Sequence, residues 1–289
     1  MTKTYSRRTF LKKILSTAAA GLAVVFGGYG YSRYLEPRMM EKNELTILSP
    51  KLPPGFDGIK IVQFSDTHLS PFYTIEQLEK VVDEVNLLSP DIIVFTGDLM
   101  DEPNSYNETN LISPVLSKLN APLGKFAIYG NHDHGGYGTD IYSNVMDLSG
   151  FTLLRNEALP IKLLDQTSII IAGIDDLMLG QPDYEGTLAG FSEEQFVVFL
   201  AHEPDAAEQA AGYSVNLQLS GHSHGGQVQV PFYGALVTPP FADIYVEGLY
   251  QVRENFQLYV NRGLGTTRIP FRFLSVPEIS IFTLKRTKN

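Results

Sequence analysis

Histidine and acidic residues of this 289-residue chain gather in five short segments of the sequence. In chain order these are Asp66-Thr67-His68, Gly97-Asp98, Gly130-Asn131-His132-Asp133, His202 and Gly221-His222-Ser223-His224. Five of the six histidines lie inside the segments, and the sixth, His134, is two residues from His132. Carboxylate, amide and imidazole groups are the donors that divalent transition metals use in proteins. The segments therefore predict a metal centre assembled from distant parts of the chain.

The composition narrows the classes of function. The chain has no cysteine, which excludes disulfides, thiolate zinc sites and cysteine nucleophiles. Residues 1–40 hold seven basic residues and one acidic residue, so residues 41–289 hold the remaining 15 basic and 31 acidic residues. A body with this acidic excess repels polyanions, so the sequence argues against a nucleic-acid partner.

The elements that position the five segments follow from hydrophobic periodicity. Apolar and β-branched runs predict strands at 59–64, 92–95, 126–129, 161–164, 168–174, 196–201, 215–220, 256–260 and 279–284. A capping box at Thr74 and Gln77 begins a helix that Pro90 stops, and a second helix is predicted at 109–119. This alternation predicts parallel βαβ units, whose strands end along one edge of a sheet. We therefore expect the five segments, each at a strand end, to meet there.

The N-terminus has the pattern of an export signal. Residues 6–12 read Ser-Arg-Arg-Thr-Phe-Leu-Lys, and an uncharged stretch follows at 14–32. Paired arginines before an Ala/Gly-rich apolar segment resemble a twin-arginine signal, while a short membrane helix with basic flanks is the alternative. We expect residues 1–40 to direct export through the twin-arginine translocase to the cell wall or the outer face of the membrane. No A-x-A cleavage site follows, so a retained anchor stays open. Residues 41–289 are predicted to form one domain.

Taken together, the segments resemble the calcineurin-like metallophosphoesterase superfamily. Its pattern is D-x-H, G-D-x-x-D, G-N-H-D/E, a later H, and G-H-x-H, and Asp101 supplies the last acid of the second motif. With the twin-arginine pattern, the stretches Tyr-Leu-Glu-Pro and His-Glu-Pro-Asp make the chain similar to the YkuE-like, YaeI-related branch of exported, wall-associated enzymes. The resemblance covers residues 59–284. It implies an α/β fold, a four-layer αββα sandwich with two mixed sheets.

The resemblance also implies two bound divalent cations and their ligands. Matching the motifs assigns Asp66, His68 and His224 to one cation, Asn131, His202 and His222 to the other, and Asp98 to a bridge between them. Oxygen and nitrogen donors are mixed in this set. Such a mixture suits manganese, zinc or iron, whereas an all-oxygen set would suit magnesium or calcium.

A phosphoester hydrolysis mechanism follows from the same resemblance. A hydroxide bridging the two cations would attack phosphorus. His132 would protonate the leaving oxygen as general acid, and Asp133 would orient and charge the His132 ring. Asn131 and His132 would also contact the substrate. Asp101 is expected to be a hydrogen-bond acceptor behind the ligands.

The sequence leaves two interpretations open for several residues. Arg262, with Arg268 and Arg272 in the same basic stretch, would bind a substrate phosphate or else stand as a surface arginine. His134 would contact substrate or mark a loop tip. The pair Asp175-Asp176 is read as a turn or cap.

We expect an enzyme that hydrolyses phosphodiester or pyrophosphate bonds of a small-molecule or lipid substrate. One alternative is a wall-associated metal-binding protein without catalysis. Another is a phosphomonoesterase or protein phosphatase. The arginine that follows the last acid of G-D-x-x-D in protein phosphatases is replaced here by Glu102, which argues against that substrate class.

Overall fold

The computed structural model describes residues 6–135 and 138–287. Their strands, in chain order, are β1 (Glu41–Ser49), β2 (Lys60–Phe64), β3 (Ile92–Phe95), β4 (Lys125–Ala127), β5 (Thr152–Leu153), β6 (Glu157–Lys162), β7 (Ser168–Gly173), β8 (Val197–Leu200), β9 (Leu217–Ser220), β10 (Gln229–Val230), β11 (Gly234–Ala235), β12 (Gly248–Arg253), β13 (Phe256–Val260) and β14 (Glu278–Arg286). The helices are α1 (Arg7–Gly30), α2 (Ile75–Leu87), α3 (Thr109–Leu116), α4 (Gly138–Leu148), α5 (Tyr184–Leu188) and α6 (Ala206–Ala210).

Two six-stranded mixed sheets organise the body. The first has the order β1-β14-β2-β3-β4-β5, in which β2 to β5 are parallel and β14 runs antiparallel to β2. The second has the order β12-β13-β9-β8-β7-β6, with β13, β9, β8 and β7 parallel and an antiparallel strand at each edge. The carboxyl ends of the parallel strands are therefore available on both sheets.

Three apolar cores show that the sheets are the two inner layers of four. Side chains of β2 and β3 pack with α2, α3 and α4 on the outer side of the first sheet. The opposite faces of the two sheets pack on each other through residues such as Ile61, Phe282, Ile171 and Val198. The outer face of the second sheet packs on α5 and α6. This arrangement confirms the predicted four-layer αββα sandwich.

The sequence signals placed most elements correctly. The capping box at Thr74 and Gln77 is present, and α2 ends three residues before Pro90. The helix predicted at 109–119 ends at Leu116. The sequence did not indicate β1, which lies at the sheet edge with a mostly exposed, charged face. A strand at the edge of a sheet buries few of its residues, so its sequence shows only a weak alternation of apolar and polar residues.

The N-terminal helix α1 stands apart from the sandwich. Ser6 caps it through its side chain, and none of its described residues is buried. It is the one described helix that is long and apolar enough to cross a membrane, by length and composition. The chain then continues through a π-helical turn, Tyr31–Leu35, and a 3-10 turn, Glu36–Arg38, into β1.

Candidate metal centre

The predicted site segments meet at one end of the sandwich. Asp66 and His68 follow β2, Asp98 follows β3, and Asn131 follows β4 in the first sheet, while His202 and His222 follow β8 and β9 in the second. A hydrogen bond joins the two sheets at this end, from Gln63 Nε2 to the Ser220 carbonyl over 2.9 Å. Two sheets whose strands end side by side thus bring distant segments into one cluster.

The first group of donors consists of Asp66, His68 and His224, and all three are buried. The Nε2 atoms of His68 and His224 are 3.0 Å apart, and Asp66 Oδ1 lies 3.5 Å from His224 Nε2. Two ring nitrogens and a carboxylate oxygen that lie this close together form a set able to hold one cation.

The second group consists of Asp98, His202 and His222, again buried. His202 Nε2 lies 3.2 Å from both Asp98 Oδ2 and His222 Nδ1. The same Oδ2 atom is 3.5 Å from His68 Nε2 in the first group. One oxygen of Asp98 therefore faces both groups, as a bridging carboxylate does.

The outward nitrogens of three of these histidines show that the inner nitrogens are prepared as ligands. His68 Nδ1 lies 3.1 Å from Asp101 Oδ1, His202 Nδ1 lies 2.6 Å from the Thr96 carbonyl, and His222 Nε2 lies 2.9 Å from the Pro240 carbonyl. An acceptor on the outer nitrogen fixes the proton there and leaves the inner lone pair for a metal. In addition, Asn131 Oδ1 is buried with no hydrogen-bond partner among the described residues. These donors fit divalent cations.

Backbone conformation at the cluster is unusual. Asp66, His68, Asp98, His222 and His224 all have φ between 42° and 68°. Non-glycine residues rarely adopt this left-handed region, and a site that collects them stores backbone strain. Five of the thirteen non-glycine residues with positive φ in the described part of the chain are donors of this cluster, a concentration typical of a functional site.

Glycine permits the close approach of the ligand loops. A Cβ atom on Gly221 would lie 2.3 Å from Asp66 Oδ2, and one on Gly130 would lie 2.3 Å from Asp98 Oδ1. Any larger residue would push these carboxylates out of place. The first positions of the G-N-H-D and G-H-x-H motifs are thus glycines because a Cβ atom would not fit there.

Electrostatics favours the metal-binding protonation state at two of these donors, Asp98 and His222. The opposite holds at two others: burial raises the pKa of Asp66, and although burial acts to lower the pKa of His202, Asp98 raises it well above its ordinary value. Burial acts to raise the pKa of Asp98, but the neighbouring His202 and His132 hold it well below its ordinary value. Burial, assisted by the charge of His202, lowers the pKa of His222 to about 3. An ionised Asp98 and a neutral His222 are the forms that bind a metal.

His132 stands at the edge of the cluster, beside a cleft. Its ring is 4.6 Å from the His68 ring, centroid to centroid, and its Nδ1 lies 2.7 Å from the Asp101 carbonyl. Burial lowers the pKa of His132, but Asp98 and the Asp101 carbonyl outweigh this effect and raise it. A proton on Nδ1 bound to that carbonyl leaves Nε2 as the nitrogen available for proton exchange.

The structure changes one half of the role expected for Asp133: its carboxylate does not orient the His132 ring, although its charge acts to raise the pKa of His132. Its carboxylate accepts hydrogen bonds from the backbone amides of Asp98, Leu99 and Gly130, over 2.8 to 3.1 Å, and the ring of His132 is not among its partners. Burial, with the charge of Asp98, raises the pKa of Asp133 to about 7. Asp133 therefore ties two ligand loops together, and it is Asp101 that orients His132.

The predicted phosphate contact of Arg262 is not supported either. Its guanidinium Nη2 lies 2.8 Å from Glu278 Oε2 and 2.7 Å from Glu41 Oε2. Arg272 is fully buried and donates to the carbonyls of Gly265, Ser275 and Arg262 and to His224 Nδ1. Arg268 is exposed. Spacing in the sequence showed a basic stretch, but it could not show that carboxylates from β1 and β14 neutralise Arg262.

His134, interpreted from the sequence as a substrate contact or a loop tip, and Asp175, interpreted as part of a turn or cap, form a link between the sheets. His134 Nε2 lies 2.7 Å from Asp175 Oδ1, and Arg155 Nε donates to Asp175 Oδ2 over 2.9 Å. The signal that could have found this link is a histidine and an acid that each follow a strand end, one in each sheet.

A cleft of about 390 Å³ opens beside His132. Asp101, Glu102, Asn104, Ser105 and Asn131 are among its lining residues. Such a wall of hydrogen-bonding groups suits a polar ligand beside His132.

The fold and the donor cluster define a metal-dependent phosphoester hydrolase. The model of the calcineurin-like phosphoesterase family matches residues 59–226, and the chain belongs to that family. It is 56% identical over 285 residues to the metallophosphoesterase YkuE of Bacillus subtilis, covering 99% of each chain.

More distant relatives share nearly the whole chain. A metallophosphoesterase of Aquifex aeolicus is 33% identical over 274 residues, which is 93% of this chain and 99% of the relative. The UDP-2,3-diacylglucosamine pyrophosphatase LpxG of Chlamydia muridarum is 29% identical over 301 residues, covering 87% and 91% of the two chains.

Proposed function

We propose that the chain hydrolyses phosphodiester or pyrophosphate bonds at a centre that holds two divalent cations. The observation that carries this proposal is the position of Asp98 Oδ2, which lies 3.5 Å from His68 Nε2 and 3.2 Å from His202 Nε2. A single-metal site has no use for a carboxylate oxygen shared between two donor groups.

The donor groups divide between the two cations as the motifs imply. Asp66, His68 and His224 hold one, and Asn131, His202 and His222 hold the other. When bound, the cations acidify a water molecule and neutralise phosphoryl oxygens. The mixed nitrogen and oxygen donors favour manganese, zinc or iron.

His132 acts as the general acid. The Asp101 carbonyl fixes its Nδ1 proton, and its environment favours the charged ring, so Nε2 can give a proton to the leaving oxygen. Asn131 and His132 both line the cleft, where they contact the substrate. The acid is required most when the leaving group is a poor one, such as an alcohol.

A phosphoester carried by a small molecule or a lipid is the substrate class that we propose. The relative LpxG is named for a diacylated sugar nucleotide and for pyrophosphate cleavage. Phosphoserine peptides are disfavoured, because Glu102 lies exposed at the cleft where an arginine would be needed.

We also propose that the chain is exported. The support is the Ser-Arg-Arg-Thr-Phe-Leu-Lys pattern of residues 6–12 and the apolar helix α1 that follows it. In this proposal residues 1–40 engage the twin-arginine translocase and residues 41–289 form the catalytic domain at the outer face of the membrane or at the wall.

The test of catalysis compares two diesters with manganese supplied. His132→Ala is expected to lower turnover of a dialkyl phosphodiester by about 10² to 10⁴-fold, and to lower turnover of bis(p-nitrophenyl) phosphate much less. Metal content, measured by elemental analysis, should stay that of the wild type. Equal losses on both diesters would remove the general-acid role, and metal binding without any turnover would favour a metal-binding protein.

A further inference from the structure

An uncharged, largely exposed segment directly follows His224 of the metal centre. Residues 225–242 contain no Asp, Glu, Lys or Arg, although 19% of the whole chain is charged. The short hairpin β10–β11 lies within it. We call the exposed side chains of Val230, Phe232, Tyr233, Leu236, Val237 and Ile269 the hairpin surface. Phe232 at the tip is fully exposed, and Tyr233 and Val237 are each more than two-thirds exposed. Single exposed aromatic or aliphatic side chains are common on protein surfaces, but a contiguous group of them is unusual.

The hairpin surface is fixed to the ligand loops. The Pro240 carbonyl is the acceptor 2.9 Å from His222 Nε2, and Gln227 follows His224 by three residues. Backbone hydrogen bonds between Gln227, Gln229 and Phe273 attach the hairpin to residues 269–273. These hydrogen bonds therefore hold the hairpin surface next to the metal centre.

The same unit contacts the end of α1. Tyr29 lies against Phe271 with ring centroids 5.4 Å apart, and Tyr31 lies against Phe273 at 6.2 Å. The Arg272 amide donates to the Ser32 carbonyl over 3.0 Å. A few residues further on, buried Glu36 accepts from the Ser275 amide over 2.6 Å. The point where α1 ends is thus next to the hairpin surface.

The length of α1 places a bilayer at this point. Its uncharged part, residues 14–30, extends about 26 Å at 1.5 Å per residue, and the uncharged residues 31 and 32 of the π-helical turn bring this close to the roughly 30 Å of a bilayer core. Basic residues at its start, and the uncharged residues 14–32, match a spanning segment. A helix that crosses the membrane brings the adjoining face of the body to the lipid headgroups.

We propose that the hairpin surface inserts into the bilayer that holds α1, and that it places the metal centre at headgroup level. Its phenylalanine, tyrosine and aliphatic side chains are those of an interfacial anchor, and exposed Arg38 and Arg268 are available to lipid phosphates. A projecting hairpin tip suits penetration of lipid better than it suits a flat protein partner. The substrate is then a phosphoester borne by a membrane lipid, and this clause rests on the function proposed above.

The absence of tryptophan from the chain allows a direct test. The full-length Phe232→Trp variant, reconstituted in phosphatidylcholine vesicles, should lose most of its fluorescence when the acyl chains carry bromine. The matched control is Leu164→Trp, a fully exposed position in the β6–β7 turn, at the end of the second sheet away from the metal centre. Its fluorescence should not change. Both variants carry α1, so both should sediment with the vesicles.

Equal quenching of the two variants, or no quenching of Phe232→Trp in sedimented vesicles, would overturn the insertion. A hairpin that serves instead as a contact between two copies or for a protein partner gives the second result. These outcomes do not depend on turnover, so they stand whether or not the chain is a phosphoesterase.

The substrate clause has its own measurement. Phe232→Asp should leave turnover of soluble bis(p-nitrophenyl) phosphate unchanged. It should lower turnover of vesicle-borne diacylglycerophospho-p-nitrophenol roughly 10-fold or more, as expected from the loss of one buried phenylalanine. Equal turnover of the lipid by wild type and variant would overturn this clause. Absence of turnover with the soluble diester in the wild type would instead contradict the proposed function.

Discussion

Asp101 shows how a residue outside the ligand set controls two others. Its Oδ1 atom lies 3.1 Å from His68 Nδ1, its main-chain carbonyl lies 2.7 Å from His132 Nδ1, and Thr267 Oγ1 donates to its carboxylate over 3.2 Å. The side chain thus orients His68, which we propose as a metal ligand, while the backbone of the same residue orients His132, which we propose as the general acid. The sequence predicted an acceptor at this position but could not identify both histidines as its partners.

At the residue scale we expect Asp101→Ala to lower manganese affinity at the His68 side by about 10 to 100-fold, the usual effect of losing an acceptor behind a ligand histidine. Isothermal titration of the metal-free protein measures this change. The control is Glu102→Gln, which removes the neighbouring exposed charge without touching a histidine. A loss of affinity of the same size in both variants would assign the effect to general charge and not to the orientation of His68.

At the scale of elements, the centre depends on how closely strand ends approach each other. The loops after β2 and β9 meet where Gly221 faces Asp66, and the loops after β3 and β4 meet where Gly130 faces Asp98. The amides bound by Asp133 lock the second pair of loops. Precision at the centre therefore comes from loop-to-loop contacts rather than from any single strand.

We expect Gly221→Ala to displace Asp66 and to weaken binding of the first cation by roughly 10²-fold, because a shift of about 1 Å in a site group has effects of that size. Gly190→Ala is the control, since a Cβ atom there meets nothing within 4 Å. Metal content after dialysis at limiting manganese compares the two. Full metal occupancy in Gly221→Ala would contradict the spatial requirement.

The strand ends were predictable, and the edges of the sheets were not. Central strands such as β3 and β8 are buried on both faces and read as plain apolar runs. By contrast, β1 and β12 expose alternate residues at the sheet edges. β1 supplies Glu41, which forms an ion pair with Arg262, so this ion pair could not be predicted from the sequence. Ligand types follow from local motifs, whereas the partners behind them depend on contacts that only tertiary packing creates.

At the scale of the whole molecule, the two sheets are joined beside the centre by Asp175. Burial alone would raise the pKa of this carboxyl, but the hydrogen bonds from His134, the Gln181 amide and Arg155 hold it well below its ordinary value. Because Arg155 is half exposed, its share of the stabilisation is small. The link with His134 carries most of the effect.

We expect Asp175→Asn to lower the free energy of unfolding by about 2 kcal/mol at neutral pH. A carboxyl with a depressed folded pKa stabilises the protein above its unfolded pKa of about 3.9, and this contribution disappears as the pH falls toward the folded value. Urea unfolding at several pH values measures the difference from wild type, which should shrink below about pH 4. Arg155→Ala should change stability much less. A difference that persists undiminished in acid would contradict the ionic origin of the link.

The central claim is that one oxygen of Asp98 joins two cations, and electron paramagnetic resonance of the manganese-loaded protein tests it most directly. The metal-stripped chain should bind two Mn²⁺ ions whose spectrum shows magnetic coupling, and Asp98→Asn should abolish the coupled signal while circular dichroism shows the fold intact. One Mn²⁺ per chain at saturation, or two that give only uncoupled signals in the wild type, would contradict the shared carboxylate and the hydrolytic mechanism built on it.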